Sequence, residues 1–411
     1  SLQTCTTQTF ISSAELARAN ALEVTAAAQA VQITDLQAQL ASMRPGLYVD
    51  GNKLRNRYGA ELRLRGVEVM VGVDVKNRGY STLCIQLRND LKCNSVQPLF
   101  QGQYGSIAEV SAFLYAARNA YLVVGVNADH QSGPFGYSWE THANRWAGFQ
   151  AWVALQGAEG VKVLFDGAAK AVTNSGASVV VDGVSYSSTA ANLARFVRSG
   201  REWLCSPGMV ALLNSYANIY LQCEIETEPV TSNAAWLAEV NPLVARLREA
   251  GHLHPIKVGA PASGRDVKWP LAVGATVLAA DPRHNVIMGF QVYWSAATGL
   301  GWYYQTGNGF AAGLAGSLAA LSACSASGLC FVVGVLDGIN GDVGATDEAA
   351  LLDRIQTLGM SCAHWVASGD GTTPGNNLYD WDYSPQPTRP IDVLLTAKFG
   401  AAKAAHPDSA L

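Results

Sequence analysis

The sequence predicts an α/β fold: a (β/α)8 TIM barrel with a small β insertion after strand three, preceded by an N-terminal coiled-coil helix. Three observations carry this. Eight short apolar runs alternate with helical segments, which argues a parallel sheet and, at that number, a closed barrel. Roughly ninety residues separate the third run from the fourth, far more than one crossover helix needs, and they hold two hairpin signals. A heptad-like seam occupies the first forty or so residues, ahead of a Pro-Gly break at Pro45-Gly46.

The helix opens on Ser12-Ser-Ala-Glu15, a capping-box pattern, and extends to about Met43. Leu22, Ala26, Gln29, Ile33, Leu36, Leu40 and Met43 follow steps of four and three, an a/d seam. With Ile33 and Leu40 at a, Leu36 and Met43 at d, and Gln29 setting register, residues 12–43 are expected to self-associate as a trimer. Residues 1–45 then form an anchor and stalk, and residues 46–411 the barrel.

From Leu47 the texture changes to short strands punctuated by Asp50-Gly51 and Gly59. The barrel strands are expected at Val67–Val73, Ser95–Leu99, Tyr121–Asn127, Ile219–Glu226, Ile256–Gly259, Val286–Tyr293, Phe331–Asp337 and Ser361–Val366. The helices between them include Ser106–Asn119, Ala234–Ala250, Phe310–Ala323, Asp347–Leu358 and Asp392–Ala404. Residues 157–188 read as the β insertion, with turns at Asp166-Gly167 and Asp182-Gly183. A βα-loop insertion of this kind is expected to rim the barrel mouth.

Composition narrows the function classes. Of 411 residues, 49% are hydrophobic and 15% charged, enough for a large core. A net charge of −4 with a pI near 6.0 leaves no electrostatic footprint for nucleic acid. No apolar run suits a bilayer span, so no membrane partner is expected. The eight cysteines include no CxxC pair and read as mostly reduced, although Cys84 with Cys93 or Cys324 with Cys330 could bridge if oxidised. No metal or cofactor motif is visible.

The chemistry gathers on Ile219–Pro229. Ile219, Leu221, Cys223 and Ile225 share one face; Tyr220, Gln222, Glu224, Glu226 and Glu228 share the other. A row of carboxylates is costly unless it lines a functional cavity, and mutual repulsion would raise their pKa values. A solvated acidic face is the plainer alternative.

Around that strand the chain resembles family five glycoside hydrolases, the cellulase and mannanase group. The likeness is carried by Leu47–Gly66 and by Thr227-Glu228-Pro229, similar to that family's Asn-Glu-Pro. Phe290-Gln-Val-Tyr293 is similar to its strand-six His-x-Tyr, and Trp365 to its strand-eight Trp. The resemblance implies a sugar-cleaving barrel with Glu228 as general acid/base.

It also implies departures at the site. Gln97 stands where the family has Arg, Asn127 where it has His, Thr227 for its Asn and Gln291 for its strand-six His. Its Gly-Glu-Phe-Gly nucleophile motif maps onto Gly334-Val335-Leu336-Asp337, which puts Val335 at the nucleophile position. A valine forms no glycosyl ester. Tyr293, Trp294, Trp302, Tyr303, Tyr304 and Trp365 remain as stacking rings for sugar, several of them in a loop after strand six.

The expectation drawn from these departures is a glycan-binding, non-catalytic barrel on a phage or phage-like virion appendage, a tail fibre or head spike recognising host surface polysaccharide. It would be made in the cytoplasm without a signal peptide, sit on the virion surface, and contact other virion proteins through residues 1–15; secretion after loss of a signal is the alternative location. Two other readings stand beside it. One is an active glycosidase using Glu228, with Asp337 as a displaced second carboxylate; the other is a purely structural decoration protein.

Overall fold

The computed structural model describes residues 46–100, 102–127, 142–156, 161–165, 168–189, 200–223, 231–262, 264–295, 301–303, 309–311, 313–336, 345–365 and 396–400, with single positions at Asn192 and in the N-terminal helix. The chain divides into two units, 1–44 and 45–411. In the first, Ala14, Arg18, Ala21, Leu22, Val24, Thr25 and Gln29 are helical. Thr25 Oγ1 donates to the Ala21 carbonyl at 2.8 Å.

The second unit opens with a three-stranded antiparallel sheet, β1 (Tyr48–Asp50), β2 (Lys53–Arg55) and β3 (Glu61–Leu62). The barrel strands follow: β4 (Arg65–Val71), β5 (Ser95–Phe100) and β6 (Val123–Asn127). Next come the insertion strands β7 (Val161–Phe165), β8 (Ala168–Asn174), β9 (Val179–Val181) and β10 (Val184–Tyr186). The barrel resumes with β11 (Ile219–Cys223), β12 (Ile256–Gly259) and β13 (Val286–Ser295). After the short β14 (Gly301–Tyr303), β15 (Phe331–Leu336) and β16 (Ser361–Trp365) complete it.

Parallel pairing runs β12-β11-β6-β5-β4-β16-β15-β13, and a β12–β13 pairing closes the ring. Among the described residues this is a closed eight-stranded parallel barrel, the TIM architecture expected. The helices that clothe it are α1 (Val73–Arg78), α2 (Tyr80–Asn89), α3 (Ile107–Asn119), α4 (His142–Leu155), α5 (Gly200–Leu204), α6 (Pro207–Asn214), α7 (Asn233–Glu249), α8 (Lys268–Ala280), α9 (Gly313–Ala326) and α10 (Ala345–Thr357). Local chemistry starts them where expected: Ser106 and Ser232 accept from the backbone N–H of Glu109 and Ala235, capping α3 and α7.

Period-two alternation sorts each strand into two populations. Val67, Val69, Val71, Val124, Val126, Ile219, Leu221, Cys223, Val333 and Val335 belong to the large core between strands and helices. Their alternates face the barrel axis. At its floor Val123, Tyr220, Ile287 and Val332 pack against Leu47, Val49, Leu54, Leu62 and Leu64, so the β1–β3 sheet plugs the N-terminal end. The plug is stitched down by Leu47 N to Ala217 O at 3.2 Å and Val49 N to Asn285 Oδ1 at 2.9 Å.

The insertion is a four-stranded antiparallel sheet in the order β10-β9-β8-β7. Asp182 (φ 45°) and Gly183 (φ 84°) both take the left-handed region, the turn that Asp-Gly favours. Its described contacts differ from the expected rim position. Glu202 of α5 accepts from Leu164 N at 3.2 Å and pairs with Arg246 of α7 at 2.9 Å; Arg246 also donates to Lys162 O at 3.1 Å. Asn174 Nδ2 donates to Gln150 O in α4 at 2.7 Å. The insertion therefore lies on the barrel's flank, because its apolar face (Val163, Phe165, Val172, Val179, Val181) joins the helix-layer core.

Candidate active site

Inside the barrel the axis-facing residues change character with height. Above the apolar floor comes a polar belt. Glu68 pairs in register with Gln97, and Gln222 pairs with both Asn127 and Lys257. All five are buried. Glycines make room for the long side chains. A Cβ on Gly125 would stand 2.4 Å from Tyr220 Cζ, one on Gly289 would stand 2.6 Å from Lys257 Cε, and one on Gly334 would stand 2.9 Å from Gln291 Cγ. Near the mouth Met70 and Leu99 form a small apolar pair.

Two site candidates expected from sequence lie here, Gln97 and Asn127. Gln97 is fully buried, and its Nε2 donates to Tyr220 Oη at 2.7 Å. Its Oε1 has no hydrogen-bond partner. Asn127 ends β6 at 1% exposure, and neither its Nδ2 nor its Oδ1 is hydrogen-bonded. A buried amide with no partner costs a few kcal/mol, so groups of this kind are held for an incoming ligand or water. Gln291, half-buried on β13, receives backbone support from Gly264, whose carbonyl accepts from Gln291 N at 2.8 Å.

At the mouth, strand register gathers the other candidates. Tyr293, Leu336 and Trp365 are consecutive register partners on β13, β15 and β16, so the three residues stand on one level of adjacent strands. The segment after Tyr293 is not the loop expected. β13 runs on to Ser295 and pairs antiparallel with β14, setting Tyr293 opposite Tyr303 and Trp294 opposite Trp302. Aromatic residues favour pleated pairs, which turns the expected loop into a hairpin. Thr227, Glu228, Tyr304 and Asp337 lie outside the described residues, as do Glu224 and Glu226.

The structure also changes what Val335 means. Its register partners are Val292 and His364, and it packs with Val333 in the helix-facing core at 1% exposure. Val335 therefore does not line the mouth, and its lack of a carboxylate removes nothing from the cavity. His364, on the same outward parity, joins its Nδ1 to Glu348 Oε1 of α10 at 2.9 Å, a buried strand-to-helix clasp remote from the axis.

Glu68, Tyr220, Gln222 and Lys257 complete the polar interior. Alternation within Val67–Val71 and Ile256–Gly259 gave the signal for Glu68 and Lys257, each a polar residue between apolar neighbours. The seven described cysteines are buried and in no disulfide, and burial pushes the thiols of Cys84 and Cys330 up to about 12, away from the reactive thiolate. No group of three metal-ligating side chains occurs among the described residues, and no described helix is long and apolar enough to cross a membrane.

The closed parallel barrel, with its polar interior and the hairpin that ends β13, is a TIM-barrel frame. Known proteins share this fold. The catalytic domain of a mannanase from Streptomyces sp. SirexAA-E superposes with a TM-score of 0.52 at 19% identity, covering 84% of this chain and 86% of that one. The β-mannanase from Streptomyces thermolilacinus with mannohexaose gives 0.52 at 18% identity over 89% and 99%, and the mannotriose complex of the Thermomonospora fusca β-mannanase gives 0.53 at 17% over 87% and 97%. At these identities the likeness is one of fold. By sequence, the chain is 29% identical over 157 residues to a mannan endo-1,4-beta-mannosidase of Streptomyces lividans, a match covering 37% of this chain and 36% of that protein. The chain thus spans little more than a third of that relative's length. No family model matches it.

These findings overturn the expectation of a non-catalytic virion appendage. The relative found by sequence is a named hydrolase. The argument for lost catalysis leaned on Val335 as a missing nucleophile, and Val335 faces the helices rather than the mouth.

Proposed function

We propose that the barrel is a glycoside hydrolase cleaving a β-1,4-linked, mannan-type polysaccharide, with Glu228 as general acid/base. The likeness to the endo-mannosidase carries the reading. The strand that leads toward Glu228 supports it: Tyr220 and Gln222, on β11, face the axis. Asp337, the first residue beyond the end of β15, is taken as the second carboxylate, which requires the chain to leave the alternation that turns Val333 and Val335 outward.

The described residues would act on the sugar as follows. The amides of Asn127 and Gln97 offer hydrogen bonds to ring hydroxyls; the aromatic residues Tyr293, Trp294, Trp302, Tyr303, Tyr304 and Trp365 of the sequence are the candidates for stacking. Gln291, half-buried on β13, and Thr227, next to Glu228 in sequence, are the remaining polar candidates. Carboxyl groups ~5–5.5 Å apart retain anomeric configuration and those ~6.5–9.5 Å apart invert it. Reducing-sugar release from soluble β-mannan tests the reading. Turnover by wild type that Glu228→Gln abolishes supports it, and no turnover of any β-1,4-linked polysaccharide refutes it.

Residues 12–43, we infer, assemble the chain as a trimer. Leu22, a seam position on a described helical turn, is 71% exposed in the single chain, the surface a neighbouring helix would cover.

A further inference from the structure

Away from the mouth, an open groove of about 560 Å³ runs along the outer wall of the barrel between α2 and α3. Ligand-binding clefts occupy roughly 300–1,000 Å³, so the size suits a bound molecule. Its floor is made of Gly79, Ala108 and Ala112, and its rim of the hydroxyl residues Ser81, Thr82 and Ser111. Tyr115 and Tyr216 stand at its lower end. Tyr115 is 54% exposed. The Arg118 guanidinium lies over both rings, 5.0 Å from the Tyr115 centroid and 5.7 Å from that of Tyr216. Tyr216 Oη reaches the Ser111 carbonyl at 3.5 Å. Tyr216 is 9% exposed, so Tyr115 is the ring the groove presents, braced by Arg118.

No lining side chain is itself charged; Tyr80, which also lines the groove, is paired with Lys76 and Glu109 behind it, and Arg118 lies over the Tyr115 and Tyr216 rings. Flat rings, hydroxyls and small residues without charge match a neutral sugar chain, whose apolar ring faces stack on aromatics while its hydroxyls meet Ser and Thr. A groove open to solvent suits a long chain lying along it. Position adds to this. α2 and α3 each begin where a barrel strand has left the C-terminal mouth, so Gly79 and Ala108 lie at the mouth end of the wall.

We propose that this groove is a second binding site for a neutral β-linked polysaccharide, holding a length of chain against the barrel wall beside the mouth. The proposal rests on the hydrolase reading for its choice of ligand, and its test separates the two. Full-length protein is run by affinity electrophoresis in gels containing galactomannan, a soluble cellulose derivative or polygalacturonate, in wild type, Tyr115→Ala, Tyr115→Phe and Glu228→Gln forms.

Galactomannan should retard wild type, Glu228→Gln and Tyr115→Phe alike, and Tyr115→Ala about fivefold less, the size of one lost stacking contact. Hydrolysis of a short manno-oligosaccharide should be unchanged in Tyr115→Ala. Equal retardation of wild type and Tyr115→Ala overturns the site. So does wild type that hydrolyses mannan but is retarded by no neutral polysaccharide, or retardation by polygalacturonate alone. Tyr115-dependent retardation without any hydrolysis would keep the groove and sink the hydrolase reading.

Discussion

His252 and His254, on the turn between α7 and β12, make stability depend on pH in a definite window. Each is 1% exposed. Nε2 of His252 faces the Leu204 carbonyl at 2.9 Å, and Nε2 of His254 faces that of Leu213 at 3.0 Å; a carbonyl only accepts, so both rings carry the proton on Nε2. Nδ1 of each has no partner. Arg248 donates to both histidine carbonyls, at 3.0 and 2.7 Å, which sets a cation beside them. Protonating Nδ1 would bury a charge with no acceptor next to another positive charge. Burial first, with neighbouring positive groups adding to it, brings His252 down to about 4 from an ordinary 6.5, and His254 to about 3.

The unfolded chain therefore binds protons that the folded chain refuses, and stability rises with pH across this interval. The contribution is complete above pH 6.5 and declines as pH falls below it. It levels off only near the folded values, where the native imidazoles charge as well. Between pH 7 and pH 5 the linkage amounts to about 2 kcal/mol for each histidine, or about 4 kcal/mol together. That is a large part of the ~5–15 kcal/mol that holds a domain folded. Asp281 does not confuse the window. Burial raises its pKa, but hydrogen bonds from Arg248 outweigh this and leave it lowered from 3.8, so its contribution fades only at more acid pH.

Urea unfolding followed by tryptophan fluorescence at pH 7, 6 and 5 reads the effect. The comparison is His252→Gln/His254→Gln, which keeps an N–H donor and does not titrate. Wild type should lose about 4 kcal/mol more than the double variant between pH 7 and pH 5. Parallel curves for the two proteins, or folded-state imidazole titrations by NMR with midpoints near 6.5, would refute the reasoning.

Three further outcomes are expected. Glu202→Ala leaves Arg246 buried without its carboxylate and should cost ~3–5 kcal/mol, measured by chemical denaturation; a loss below ~1 kcal/mol would mean that water already reaches the pair. Gly125→Ala drives a methyl into the Tyr220 ring, whose hydroxyl accepts from Gln97, and should cost ~1–3 kcal/mol of stability; a neutral effect would show that the barrel interior has slack. Deleting residues 1–44 should turn the assembled protein into a monomer that keeps its melting transition, by light scattering and calorimetry; a full-length monomer at micromolar concentration would contradict the seam.

The barrel was legible because each strand repeats one local rule. Short β-branched runs such as Val286–Val292 and Phe331–Val335, bounded by turn residues, needed no tertiary information to read as strands. Alternation along Ile219–Cys223 likewise placed Tyr220 and Gln222 on one face, the face the structure turns to the axis. The insertion's position was less accessible. Whether an apolar sheet face docks on a helix layer or overhangs a mouth depends on Glu202 meeting Arg246 and Leu164, partners far apart in sequence. Trp302 and Tyr303 misled for a related reason. A glycine-rich stretch reads as loop until cross-strand partners at Tyr293 and Trp294 supply the other half of a hairpin.

Strand parity also decides how the second carboxylate must be sought. Along β15, Val332 joins the floor and Gly334 faces Gln291, while Val333 and Val335 pack outward. No carboxylate lies within β15 itself, so strand seven can supply one only from beyond Leu336, and Asp337 is the first residue there. A motif alignment that fixes attention on Val335 therefore examines a position that cannot touch sugar. Glu228→Gln and Asp337→Asn, assayed together on mannan, separate the arrangements. Loss of turnover in both assigns the pair. Loss in Glu228→Gln alone moves the second carboxylate to another strand end, and the anomeric form of the first product, read by NMR, then reports the spacing between the two groups.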